Sequence, residues 1–175
     1  EIMPSLVGSE MCIRDRIRAE GQIEKGLKSG EWKHYYENGN IEKIENCKFG
    51  ELNGIFMYYY ETGEIKEKGN FKYDKKEGIW QSYFKNGNIK IETSYYLDKQ
   101  TNGIWKKFYE TGELMCECPV VDNKFFGAYK QYNKYNVLVY KCFMHDNMKN
   151  GDEIYYDKQG KEIIKRQYVN NREIK

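Results

Sequence analysis

The chain has 175 residues, with 29 lysines and arginines against 27 aspartates and glutamates. So even a balance gives no electrostatic case for nucleic acid as a partner, while a mean hydropathy of -0.92 and the lack of an apolar run near ~18 residues exclude a membrane-spanning helix. Aromatics make up 16% of the chain, with 17 tyrosines, 16 glycines and only 2 prolines, which points to a folded all-β chain.

The first segment, Glu1 to Arg16, fits none of the patterns that follow. Leu6 to Asp15, LVGSEMCIRD, resembles one translated frame of a transposon-type sequencing adaptor. The expected organisation is therefore a non-native segment at 1–16 and a repeat domain at 17–175. Ile17 to Ser29 aligns with Ile65 to Glu77 at two periods' distance, so the native sequence is expected to begin inside a repeat, with an upstream part missing.

From there the chain is periodic. GEWKHYYENG, GIFMYYYETG, GIWQSYFKNG and GIWKKFYETG open at Gly30, Gly54, Gly78 and Gly103, and degenerate copies open at Gly127 and Gly151. A step of about 24 residues sustained this long marks a repeat architecture. With the opening glycine as zero, offset +9 holds only Gly or Asn (Gly39, Gly63, Gly87, Gly112, Asn136, Gly160). Both residues tolerate left-handed backbone, so +9 is the expected turn residue of a hairpin. Beyond it apolar and polar residues alternate, from Ile41, Ile65 and Ile89 at +11 to Cys47, Phe71 and Tyr95 at +17, which reads as a half-buried strand.

Each repeat is thus expected to be a β-hairpin, and about six and a half of them to build an elongated, open, single antiparallel meander. Pairing +6 with +11 across the turn would set +2 (Trp32, Phe56, Trp80, Trp105, Tyr129) opposite the mostly small residues at +15 (Gly21, Gly69, Thr93, Cys118, Cys142). On this reading +2, +6 and +11 line the core. Glu153 at +2, with Asn133 and Asp157 at +6, suits terminal repeats that face water. Offset +5 points the other way and forms a row of Tyr35, Tyr59, Tyr83, Phe108, Tyr132 and Tyr156.

The GxWxxYYxNG pattern with its xIxxExxY second half resembles the MORN repeat in its bacterial variant form, over Ile17 to about Arg172. The resemblance implies stacked hairpins acting as an interaction module, antitoxin-like in some members and associated with membranes or enzyme scaffolds in others.

The residues offer little chemistry. His34 and His145 fall in distant repeats, and Cys116 and Cys118 lack further ligands nearby, so neither a metal nor another cofactor is expected. Cys118 and Cys142 stand about two strands apart, roughly 9–10 Å, too far for a disulfide. Buried free thiols tilt the compartment towards the cytoplasm, which is otherwise open. Glu37, Glu61 and Glu110 at the turn offset +7 read as solvated charges. No nucleophile and base stand together, so no enzyme is expected. The +5 row is the candidate partner-binding surface, because tyrosine offers contact area with a polar tip; the competing reading, compatible with it, is that the rings stack as a structural ladder. The expected function is a non-enzymatic protein-interaction module, antitoxin-like with a toxin as partner, and the alternative is a membrane-surface scaffold.

Overall fold

The computed structural model describes residues 6–12, 17–100 and 102–174. The chain divides into two compact units, Glu1–Gly87 and Asn88–Lys175. Each is all-β, and every strand pairing within them is antiparallel, as the periodicity requires.

The first unit runs β1 (Leu6–Cys12), β2 (Ile17–Glu24), β3 (Leu27–Tyr35), β4 (Ile41–Lys48), β5 (Glu51–Tyr59), β6 (Ile65–Lys72) and β7 (Lys75–Tyr83). Each strand pairs with the next in a plain meander. Of the segment expected to be foreign, residues 1–5 and 13–16 lie outside the described residues. Residues 6–12 form β1, which pairs with β2 from Leu6↔Ile23 to Cys12↔Ile17.

The second unit comprises β8 (Ile89–Tyr96), β9 (Lys99–Gln100), β10 (Gly103–Phe108), β11 (Leu114–Val121), β12 (Lys124–Phe125), β13 (Gly127–Tyr132), β14 (Leu138–His145), β15 (Met148–Tyr156), β16 (Glu162–Val169) and β17 (Arg172–Ile174). Strand β8 pairs with both β9 and β10, and β11 pairs with β10, β12 and β13. From β13 to β17 the strands pair in chain order.

Two kinds of turn alternate. Within a repeat, Tyr36 N–H donates to the Asn40 carbonyl (2.9 Å) and Gly39 N–H to the Tyr36 carbonyl (3.0 Å). This is a three-residue loop whose last residue is left-handed, with φ of 88° at Gly39 and 62° at Asn136. Offset +9 therefore does what its composition predicts. Between repeats, two residues both take positive φ, as at Phe49–Gly50 (54°, 86°) and Asn170–Asn171 (48°, 65°). The flanking residues pair directly, Lys48 with Glu51, and a two-residue loop of that kind demands a primed turn. Sequence reasoning missed this second turn, because Phe49, Tyr73 and Leu97 are not turn formers.

The expected register is half corrected. Offset +2 does pair with +15, as Phe56↔Gly69, Trp105↔Cys118 and Tyr129↔Cys142. Offset +11 pairs with +5 instead of +6: Tyr35↔Ile41 follows His34↔Lys43, so Glu42 is skipped in a bulge. The physical reason is the loop, which takes +6 and +10 as its closing pair and leaves the bulge to restore the register.

The core is a stripe on one face. In the first unit Ala19, Trp32 and Cys47 cluster, with Ile23 and Leu52 against them. In the second unit Cys116, Cys118, Val120 and Cys142 are buried on this face, and Ile154, at +3, is buried on the other. Two expectations fail here. Offset +6 is not core but a staple between hairpins: the Tyr36 hydroxyl donates to the Tyr59 carbonyl (2.6 Å), Tyr60 to Tyr83 (2.8 Å) and Tyr109 to Tyr132 (2.9 Å). Glu153 does not face water but is 1% exposed. Asn133 and Asp157, where the staple is lost, turn inward on their own loops: Asn133 Oδ1 accepts from Tyr135 and Val137 N–H, and Asp157 Oδ1 from Gln159 and Lys161 N–H.

Candidate interaction face

The residues at +1, +3 and +5 alternate with Trp32 and its equivalents along each strand, so they share the face opposite the core stripe. In the first unit this face carries Tyr35, Tyr59 and Tyr83. In the second it carries Phe108, Tyr132 and Tyr156. Five of the six are half-buried, and Tyr83 is buried. Tyr83 therefore offers the least surface to a partner.

Within each unit the rings do not form a ladder on one another. Among the described residues, no ring contact joins two of them within either unit. Three of them are instead anchored by their hydroxyls. The Tyr35 hydroxyl donates to Glu20 Oε1. That of Tyr83 donates to Gln81 Oε1 (2.7 Å), and that of Tyr132 to Glu117 Oε1 (3.1 Å). Its hydrogen bond to the Glu20 carboxylate pushes the Tyr35 phenol up to about 12, with burial adding to it. Burial and then Glu117 raise that of Tyr132. Tyr35 and Tyr132 therefore stay neutral donors across the physiological range.

Charges alternate around the rings. Glu117 pairs with Lys130 (3.1 Å) and Glu92 with Lys106 (3.0 Å). Lys68 Nζ stands 5.4 Å from the centre of the Tyr83 ring. Beside Tyr35 a shallow depression is lined by Glu20, Gly21, Gln22, Glu31 and Lys33. The same face also bears Ile55 (56% exposed) and Ile79 (62% exposed). These isoleucines were overlooked, although Ile recurs at +1 and could have been read from the repeat alignment. The resulting surface is apolar at the strand starts, aromatic at the strand ends and charged between.

The buried carboxylates belong to the fold. Glu45 accepts from His34 Nε2 (2.9 Å) and from Lys43 Nζ (2.6 Å). Burial acts to raise its pKa, but these two donors win and hold it down to about 2. Glu153 accepts from the Tyr140 hydroxyl (2.9 Å) and Lys149 Nζ, with Arg166 3.8 Å away. Its Oε2 has no hydrogen-bond partner. Burial against its carboxylate surroundings pushes the Tyr140 phenol upward.

Cys47, Cys116, Cys118 and Cys142 are free and buried. Burial pushes the Cys118 thiol up to about 12, which leaves it protonated and unreactive. Among the described residues, no three His, Cys, Asp or Glu side chains are grouped to hold a metal. His34 is spent on Glu45, and His145 lies against the Phe126 ring at 4.9 Å.

A family model described as "MORN repeat variant" matches residues 28–48, 52–73, 76–96 and 101–122. The β13–β14 and β15–β16 pairs continue the period beyond those segments. A search of curated proteins finds no match.

Proposed function

Because the chain belongs to the MORN repeat variant family, whose repeats serve broadly as interaction modules, we propose that residues 17–175 form a non-enzymatic module that binds another protein. In each unit the contact face is the one opposite the core stripe: Tyr35 and Tyr59 in the first, with Tyr83 contributing its edge, and Phe108, Tyr132 and Tyr156 in the second. The observation that supports this most is the anchoring of the tyrosine hydroxyls by Glu20 and Glu117. Rings held this way lose little freedom on binding, which favours affinity. An antitoxin-like role, with a toxin as the partner, is the specific form of this reading.

The test is affinity capture from cells of the source organism by the wild-type chain and by a Tyr35→Ala/Tyr59→Ala/Tyr132→Ala/Tyr156→Ala variant. The reading predicts a protein retained by the first and lost from the second, with both chains giving the same β-sheet circular dichroism. Equal retention by the two chains would place binding elsewhere. Salt-sensitive sedimentation with anionic vesicles, lost in the same variant, would replace it with a membrane-surface role.

A further inference from the structure

The two-residue turns between repeats make an edge of their own, distinct from the face just described. In the first unit their leading residues are Lys25, Phe49 and Tyr73, at φ of 52°, 54° and 52°. Left-handed backbone costs an ordinary residue about 1 kcal/mol, and Asn, Asp or Gly bear it best. In the second unit Asp122, Asp146 and Asn170 occupy this position in three of the turns. Phe49 and Tyr73 accept the cost and bury little in return, being 70% and 59% exposed. Backbone cost without burial suggests that the rings serve something outside the fold.

The turns hold these rings in place. Gly50 N–H donates to the Lys28 carbonyl and Asp74 N–H to the Leu52 carbonyl, both at 3.0 Å. Asp74 Oδ1 accepts in turn from Leu52 N–H (2.6 Å). Successive turns are thus clamped together, and their leading residues stand roughly 10 Å apart, two strand spacings. Next to Phe49 a depression is lined by Glu24, Lys25, Leu27 and Ser29, and Leu27 is itself 48% exposed. Lys25 lines the same depression, Lys48 Nζ lies 5.8 Å from the Phe49 ring centre, and Lys72 pairs with Lys75 across the Tyr73 turn. Three carboxylates lie among them, and two already serve the turns: Glu24 accepts from the Ser29 hydroxyl (3.2 Å) and Asp74 from Leu52.

We propose that this turn edge of the first unit docks an acidic segment of another protein, whose apolar side chains seat on Phe49, Tyr73 and Leu27. The surplus of lysines selects the charge, and the two clamped rings set the spacing of the anchors. A bilayer is a poorer occupant, because Glu24, Glu51 and Asp74 would be carried into the interface with the rings.

The experiment selects a display library of short random peptides in parallel on the full chain and on its Phe49→Asn/Tyr73→Asn variant. Asparagine suits the left-handed turn, so the variant should melt at the same temperature or higher. Wild type alone should enrich peptides that combine Asp or Glu with aromatic or aliphatic residues. A synthesised winner should bind wild type at least about tenfold more tightly than the variant. It should bind a Tyr35→Ala/Tyr132→Ala chain as tightly as wild type, which separates this edge from the tyrosine face. Enrichment of the same peptides on both baits, or of peptides without acidic bias, would overturn the proposal. So would a lower melting temperature of the variant, which would make the rings structural. Sedimentation with phosphatidylserine vesicles that F49N/Y73N abolishes would assign the edge to a membrane instead.

Discussion

Gly21 lies so close against the indole of Trp32 that a Cβ on the glycine would overlap indole carbons Cδ2 and Cε2. Gly69 and Trp80 repeat the arrangement 48 residues later. In both copies the indole Nε1 donates to the carbonyl after the glycine, Gln22 at 3.1 Å and Asn70 at 3.2 Å. A lysine covers the ring from the other side: Lys28 Nζ is 4.4 Å from the Trp32 centroid and Lys76 Nζ 3.8 Å from that of Trp80. The buried tryptophan is thus enclosed by a missing side chain, a carbonyl and an ammonium group.

That enclosure makes the glycines irreplaceable in a measurable way. Gly21→Ala or Gly69→Ala should destabilise by about 1–3 kcal/mol through overpacking alone, read from urea unfolding. Gly39→Ala is the control: nothing lies within 4 Å of its Cβ position, so it should cost only about 1 kcal/mol of left-handed strain.

The tyrosine staples join one hairpin to the next through a single hydroxyl. Tyr60→Phe and Tyr109→Phe keep the rings and strip the donors to Tyr83 and Tyr132. Each should cost about 1 kcal/mol. Hydrogen exchange should quicken at the adjoining loop, with the rest of the sheet unaffected.

Glu45 should make the first unit acid-sensitive. Its pKa falls from the ordinary glutamate value of 4.5 to about 2 in the fold. A depressed folded pKa means that the stabilisation is complete above about 4.5 and disappears as the pH drops through about 2. Its size is of the order of 2–4 kcal/mol. Glu45→Gln should melt lower than wild type at neutral pH, and its melting temperature should vary less between pH 5 and pH 2. Parallel melting curves across that range would show that His34 and Lys43 contribute nothing through this carboxylate.

Glu153 sits where the earlier repeats place an aromatic ring, and its neighbours are cationic. Glu153→Ala would leave Lys149 and Arg166 facing a cavity beside Tyr140, at a cost of about 3 kcal/mol. Limited proteolysis should then cut first within β15 or β16. Unchanged protease resistance would mean that the unpaired Oε2 already cancels what its partner oxygen contributes.

Much of this was legible in the chain itself. The period, the left-handed residue at +9, the pairing of +2 with +15 and the opposite facing of +2 and +5 all depend on local geometry. Each could be read within about 24 residues of sequence. The misjudged residues are those whose partners lie in another repeat. Tyr36 and Tyr60 were assigned to the core because their own hairpin gives them no other task, yet each serves the next loop. Glu153 was assigned to solvent because a carboxylate is costly to bury, yet Lys149 and Tyr140 come to meet it. The candidate face shows the same division: its tyrosines were identifiable by offset, but not the acids that anchor them, nor that Tyr83 would be buried.

The amino-acid sequence by itself determined that the chain would be a series of antiparallel hairpins and that +2 and +5 would face opposite ways, because a two-residue alternation and a left-handed turn residue are written in consecutive positions. Only the tertiary structure decided the register at +5 and +11, the primed turns that display Phe49 and Tyr73, and the use of Gly21 and Gly69 as seats for tryptophan. Those features depend on how long each loop is and on what the neighbouring strand brings alongside. A periodic sequence repeats its local instructions without saying which copy of a residue will meet which.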